Sequence, residues 1–209
     1  MKTKRNPSFF WGIAAVVAYV LHVVLGGLLW PGYNHLAQPI SDLTATSSPG
    51  RSVAAPLANL YGVLSIAFAG SLLVETWARK NRLLTVGLGL LLLLFTVSFL
   101  YGFFPEDLPN EPPTVAGLMH IVVTIAIVPF TIASPIVVGI ASRKDHRRFS
   151  LGSVVVGGLI FVFGGLTGLA MAVHSDLFGL VERINIGTLM VWIVAVSSVL
   201  GRKDSSPQV

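Results

Sequence analysis

Six blocks of apolar residues follow one another along this chain, separated by short polar stretches. They occupy residues 9–30, 55–78, 83–103, 115–141, 151–173 and 177–200. Inside the blocks there is neither the alternation of a half-buried strand nor the one-sided stripe of a soluble helix. All faces are apolar, the pattern of helices that meet hydrocarbon. Roughly 20 such residues cross the core of a bilayer. The pattern predicts an all-α polytopic membrane protein, one domain over residues 1–209 built as a bundle of six transmembrane helices. Pro129 and Pro135 predict a kink in the fourth helix. The sixth helix could start at Leu177 or at Ile184. The three-residue turn "HSD" before it suits antiparallel neighbours and favours Leu177, which puts Glu182 and Arg183 inside the span.

Composition agrees with this class. The chain is 54% hydrophobic and 11% charged, whereas a soluble domain carries about 25% charged residues. The net charge of +5 invites a nucleic-acid reading, but the cations are segregated by loop. Lys2, Lys4, Arg5, Arg79, Lys80, Arg82, Arg143, Lys144, Arg147, Arg148, Arg202 and Lys203 fall on one side of the predicted bundle, and Arg51 and Arg183 on the other. In short loops this asymmetry places the basic side in the cytoplasm, with both termini there and the protein in the plasma membrane. Anionic lipid headgroups are sufficient partners for the basic loops, and no nucleic acid is implied. "MKTKR" before an apolar run resembles a signal peptide, yet the run ends "LGGLLWPG" without a small-x-small cleavage site, so the first helix is expected to be retained. There is no cysteine, which excludes disulfides, thiolate metal sites and a cysteine nucleophile.

The polar residues collect at the opposite, outward side, in "WPGYNHLAQPISDLTATSSPG" (30–50), "FPEDLPNEPPT" (104–114) and "HSD" (174–176). Six of the nine acids lie there: Asp42, Glu106, Asp107, Glu111, Asp176 and Glu182. His22 lies roughly 12 Å below the outer end of the first helix and His120 roughly 8 Å below that of the fourth, at 1.5 Å per residue. At such similar depths they are expected to face one another. Ionisable groups at membrane depth require a partner or a wet cavity. The expectation is therefore an outward-open pocket between the first, fourth and sixth helices, lined by His22, His120, Glu182 and Arg183. Ser41, Asp42, Glu106 and Asp107 would roof it, and it would bind a lipid headgroup or a small polar ligand.

Other chemistries use the same residues. His22 and His120 with Asp42 or Glu182 could hold zinc, although no HExxH or HxxxH spacing is present. Asp42, His120 and Glu182 are the candidate catalytic groups of a metal-assisted or acid–base lipid hydrolase. In that reading Ser41 and Asp42 act with a histidine base, but "ISDL" equally reads as a helix cap and no GxSxG elbow surrounds it. Arg183 could meet a phosphate, but a salt bridge to Glu106, Asp107 or Asp42 is the simpler expectation. A purely structural or partner-binding role is the third reading. Gly164 and Gly168 form a small-xxx-small pair that predicts close helix packing.

"LGGLLWPGYNHLAQPISDL", "FPED", His120 and "GLVERINIG" together resemble a domain-of-unknown-function family of bacterial and archaeal six-span membrane proteins. A more distant similarity is to the Frag/DRAM/Sfk group of eukaryotic membrane proteins. The resemblance implies six helices with signature residues at the outer side: Trp30, Pro31, Gly32, Ser41, Asp42, Pro105, Glu106, Asp107, His120, Glu182 and Arg183. It implies no activity.

Overall fold

A computed structural model describes residues 5–109 and 111–202. Lys2, Lys4 and Lys203 of the basic set lie outside the described residues. The chain forms six long helices: α1 Pro7–Leu28, α2 Arg51–Thr76, α3 Arg82–Ser98, α4 Val115–Ala141, α5 Arg147–Ala172 and α6 Phe178–Leu200. Short 3-10 turns cover Ser41–Thr44, Trp77–Arg79 and Phe99–Gly102. All six helices, with the adjoining turns, are long and apolar enough to cross a membrane. No strand forms among the described residues; an isolated bridge joins Arg5 to Arg202.

The helix ends follow local chemistry. Pro7 opens α1, where its missing N–H costs nothing and its fixed φ suits a helix. After α1 the chain turns at Gly32, whose φ of +81° is a left-handed conformation that a Cβ disfavours. Asn81 caps α3 by accepting from Leu84 N at 3.1 Å, and its amide reaches Ala141 O at the end of α4 (3.1 Å). Thr114 caps α4 through Gly117 N at 3.0 Å. Arg51 and Arg147 begin α2 and α5 four residues before the apolar blocks do, because a polar first turn continues each helix into the interface. α6 starts at Phe178, so Glu182 and Arg183 lie in its second turn.

Each helix packs on its neighbours in the chain, and α1 packs on α6 to close a ring. The ring is filled by Phe68 and Leu72 of α2, Leu88, Leu91 and Phe95 of α3, and Trp192, Ile193 and Val196 of α6, all buried. Trp192 donates its indole N–H to Ser153 Oγ at 2.9 Å, so its one polar atom enters the core satisfied. At the end carrying Arg5 and Arg202, Ser8 N donates to Glu75 Oε1 at 3.1 Å and Ser8 Oγ bonds the other carboxyl oxygen. Arg5 reaches Ser198 O at 3.0 Å. The expected packing contact at Gly164 and Gly168 is not made: nothing would meet a Cβ on Gly168, and Gly164 has only Asn185 Nδ2 at 3.7 Å. α5 instead approaches α4 at Gly157, where a Cβ would meet Ile136 Cγ1 at 2.4 Å.

Candidate functional site

The loop from residue 29 to 50 is clamped across the start of α6. The first-turn amides of a helix have no partners of their own, and here two are satisfied by the loop: Gly179 N donates to Ala37 O (3.3 Å) and Leu180 N to Leu36 O (2.9 Å). Arg183 is the hub. Its Nη1 donates to Gln38 O at 2.8 Å and to Gly179 O at 2.9 Å, and its Nη2 to Tyr33 Oη at 2.6 Å. Tyr33 in turn donates to Pro39 O at 2.6 Å. Burial pushes the Tyr33 phenol up to about 12, against the opposing pull of Arg183, so it stays a neutral donor. Glu182 Oε2 accepts from Ile40 N at 2.6 Å. Position 179 must be glycine for the loop to sit this close, because a Cβ would lie 2.2 Å from Gln38 O.

The clamp buries Ile40 and Leu43 against Ala54, with Val23, Trp30 and Tyr33 around them. Between these apolar anchors it also buries Asp42, which is 2% exposed. Among the described residues Asp42 Oδ2 has no hydrogen-bond partner, and neither does the buried Oε2 of Glu106. Burial, followed by the neighbouring Glu106 charge, pushes the Asp42 carboxyl up to about 7, with Gln38 and Arg183 opposing the shift. Burial also raises Glu106; a hydrogen bond from Ser41 opposes this and Asp107 adds to it. Glu182 lies within electrostatic reach of both Glu106 and Asp42. Asp42, Glu106 and Glu182 thus lie at the same end of the bundle, within electrostatic reach of one another. Tyr19 packs on His22 and Tyr61, and Tyr101 on His120.

Asp107 does not join them. It accepts from Thr114 N and Thr114 Oγ1, both at 2.7 Å, and so braces the cap of α4. These bonds, the backbone one first, hold its carboxyl below its ordinary range.

The two membrane histidines do not meet. α1 packs against α2 and α6, whereas α4 packs against α3 and α5. His22 donates through Nδ1 to Ala54 O at 3.0 Å and His120 through Nδ1 to Phe104 O at 2.9 Å. His22 thus ties α1 to the first turn of α2 and His120 ties α4 to the segment after α3; among the described residues neither pairs with a carboxylate, although His120 lies within electrostatic reach of Asp107. The expected pocket lined by His22, His120 and Glu182 is therefore replaced by separate contacts. Among the described residues no three His, Asp or Glu side chains are grouped to hold a metal, so His22, His120 and Asp42 are not brought together. The expected salt bridge of Arg183 to Glu106, Asp107 or Asp42 gives way to bonds with carbonyls and a phenol. Ser41 starts a 3-10 turn but caps nothing with its side chain. Two clefts lie elsewhere. One of about 370 Å³ is lined by Asn59, Leu60, Phe99 and Phe103, and one of about 390 Å³ by His146, Arg147, Arg148, Phe149 and Val199.

Tyr33 and Gln38 are functional neighbours that sequence reasoning passed over. Tyr33 sits in "WPGY" and reads as an interfacial aromatic; Gln38 meets Arg183 through its backbone carbonyl, which leaves no trace in side-chain identity, while its side chain accepts from Asn34 N at 2.8 Å and bonds Asp42. No curated protein and no solved structure shows significant similarity to the chain. Residues 13–199 match DUF998, described as a protein of unknown function, and the chain belongs to that family.

Proposed function

We propose that this is an outward-facing binding protein of the plasma membrane, with both termini in the cytoplasm, whose loop-end cluster takes the polar group of a lipid or of a small solute. The observation that carries this reading is the pair of buried carboxyl oxygens without partners, Asp42 Oδ2 and Glu106 Oε2. A buried polar atom left unpaired costs about 1–3 kcal/mol, more when charged. Loop closure alone does not account for them, because Arg183, Tyr33 and Glu182 already tie the loop to α6 without their help. Glu106, Glu182 and Arg183 retain partial exposure, which gives a ligand a way in. The distant resemblance to the Frag/DRAM/Sfk group, which is associated with lipid-linked processes, points the same way by analogy.

A hydrolase needs a base beside a nucleophile or a water. His22 and His120 each spend a nitrogen on a backbone carbonyl and, among the described residues, neither is hydrogen-bonded to Ser41 or to a carboxylate, which is why binding is preferred here to that chemistry. The test is native mass spectrometry of protein purified in mild detergent. Wild type is expected to carry a bound small molecule or lipid that Glu106→Gln loses while keeping its fold. Equal retention of every adduct by the two proteins would count against a site at this cluster.

A further inference from the structure

We propose that the cleft between the start of α5 and the end of α6 holds the phosphate of an anionic phospholipid, gripped by Arg147, Arg148 and His146 over an apolar floor. It lies at the end of the bundle away from the 29–50 loop and stands independently of the site proposed there.

The cleft brings these groups to one place. It measures about 390 Å³ and is lined by His146, Arg147, Arg148, Phe149 and Val199. That volume falls within the roughly 300–1,000 Å³ of small-molecule sites. Phe149 and Val199 are half-buried and pack against the main core, so the floor is fixed. Phe149 lies in the first turn of α5 and Val199 in the last turn of α6. The cleft therefore sits at the level of the helix ends, where headgroups meet hydrocarbon.

Its charge is unspent. Arg147 and Arg148 are exposed, and among the described residues neither has a hydrogen bond or an ion pair. Asp145, the acid of the turn that carries them, bridges neither. Glu75, the other acid described at this end, is taken by Ser8 N and Ser8 Oγ. His146 precedes α5 without capping it through its side chain.

Helix stability does not explain this placement. Cations in a first turn face the positive end of the macrodipole and are disfavoured there, and the first turn of α5 holds no acid to offset them. Charge asymmetry across the bundle accounts for cations at this end, but Arg143 and Lys144 serve it equally well from outside the cleft lining.

Charge and shape together choose the ligand. Guanidinium groups meet a phosphate through paired N–H bonds, and basic pockets between transmembrane helices suit phospholipid headgroups. The floor of Phe149 and Val199 matches the glycerol backbone and first methylenes of a lipid, and offers nothing to a free phosphate ion. A choline or ethanolamine headgroup would bring its ammonium against two guanidinium groups.

Purified full-length protein in mild detergent is titrated with phosphatidylglycerol, phosphatidylcholine or inorganic phosphate. Bound molecules are counted by native mass spectrometry and the melting temperature is followed. The salt is about 0.15 M, where exposed charges farther apart than about 8 Å are screened. Wild type is expected to bind phosphatidylglycerol about tenfold more tightly than phosphatidylcholine. Arg147→Gln paired with Arg148→Gln should weaken phosphatidylglycerol about tenfold. Arg143→Gln paired with Lys144→Gln removes the same charge from the same turn and should cost less than about threefold. Arg147→Lys paired with Arg148→Lys keeps the charge without the forks and should cost about threefold. Glu106→Gln should bind phosphatidylglycerol as wild type does, so the two proposed sites fail or stand separately. Binding of phosphatidylglycerol at concentrations where inorganic phosphate has no effect assigns the lipid. Stabilisation by inorganic phosphate alone, lost in the Arg147 and Arg148 variants, overturns the lipid and leaves a soluble phosphate. Equal losses in the two glutamine pairs, wild-type affinity in the lysine pair, or equal binding of the two lipids would overturn the site.

Discussion

Asp42→Asn is expected to make the ligand-free protein more stable at pH 8, and to flatten its stability between about pH 4 and 7. The sign follows from the direction of the shift. The Asp42 carboxyl is pushed up to about 7 in the folded chain from an ordinary 3.8, by burial and then by Glu106. Between those values the folded state holds its proton more tightly than the unfolded state does. Stability contributed by this group is thus full below the unfolded value and lost as pH rises through the folded one. Three units correspond to about 4 kcal/mol at most, and solvent relaxation and the coupling to Glu106 reduce this to on the order of 2–4 kcal/mol. Asparagine has nearly the same shape and stays neutral. The gain should therefore appear as a melting temperature several degrees higher at pH 8. Thermal melts of wild type and variant across pH 4–8 check this. A variant that melts lower at pH 8, or keeps the wild-type slope, contradicts a buried titrating Asp42. The same substitution is expected to abolish ligand stabilisation, so a protein improved in stability would be poorer in binding, as binding sites that store unpaired polar groups commonly are.

Arg183→Ala is expected to be the most damaging single change at the loop end. It removes the donors to Gln38 O, Gly179 O and Tyr33 Oη and withdraws the positive charge that opposes the rise of Asp42. Truncating a part-buried charged donor and stranding its acceptors costs about 3–5 kcal/mol. Arg183→Lys retains the charge without the planar fork that reaches three acceptors at once, and should recover less than half of the loss. The loop should also open, because Glu182 and the two α6 amides then hold it alone. Limited proteolysis around His35 and Leu36, both exposed, reads this directly: cleavage should speed up severalfold in Arg183→Ala and moderately in Arg183→Lys. Wild-type proteolysis rates and melting temperatures in both variants would mean that Arg183 does not secure the loop.

The six helices were legible because a bilayer imposes length and apolarity on each one separately, and that demand is written residue by residue. The ends of α2 and α5 were less so, since Arg51 and Arg147 continue a helix by backbone geometry after the apolar signal has stopped. The gathering of acids at one end was also legible, because few ionisable residues exist and their order along the chain sets their side. What those residues touch was not. The depth of His22 and His120 follows from counting, but depth says nothing of which helices are neighbours, and the ring keeps α1 and α4 apart. Arg183 was expected to find a carboxylate; it found backbone carbonyls of Gln38 and Gly179, whose positions depend on the path of the whole loop. Gly164 and Gly168 carried a packing motif on a helix whose close approach is made at Gly157, on the same face but about two turns nearer the turn that joins α4 to α5.

Everything proposed for the cluster depends on its facing the outside of the cell, and the absence of native cysteine makes that directly measurable. Thr46 and Lys144 are exposed at opposite ends of the bundle. In intact cells a membrane-impermeant maleimide is expected to label Thr46→Cys, and to label Lys144→Cys only after permeabilisation. Labelling of Lys144→Cys in intact cells, with Thr46→Cys protected until lysis, would contradict an outward site.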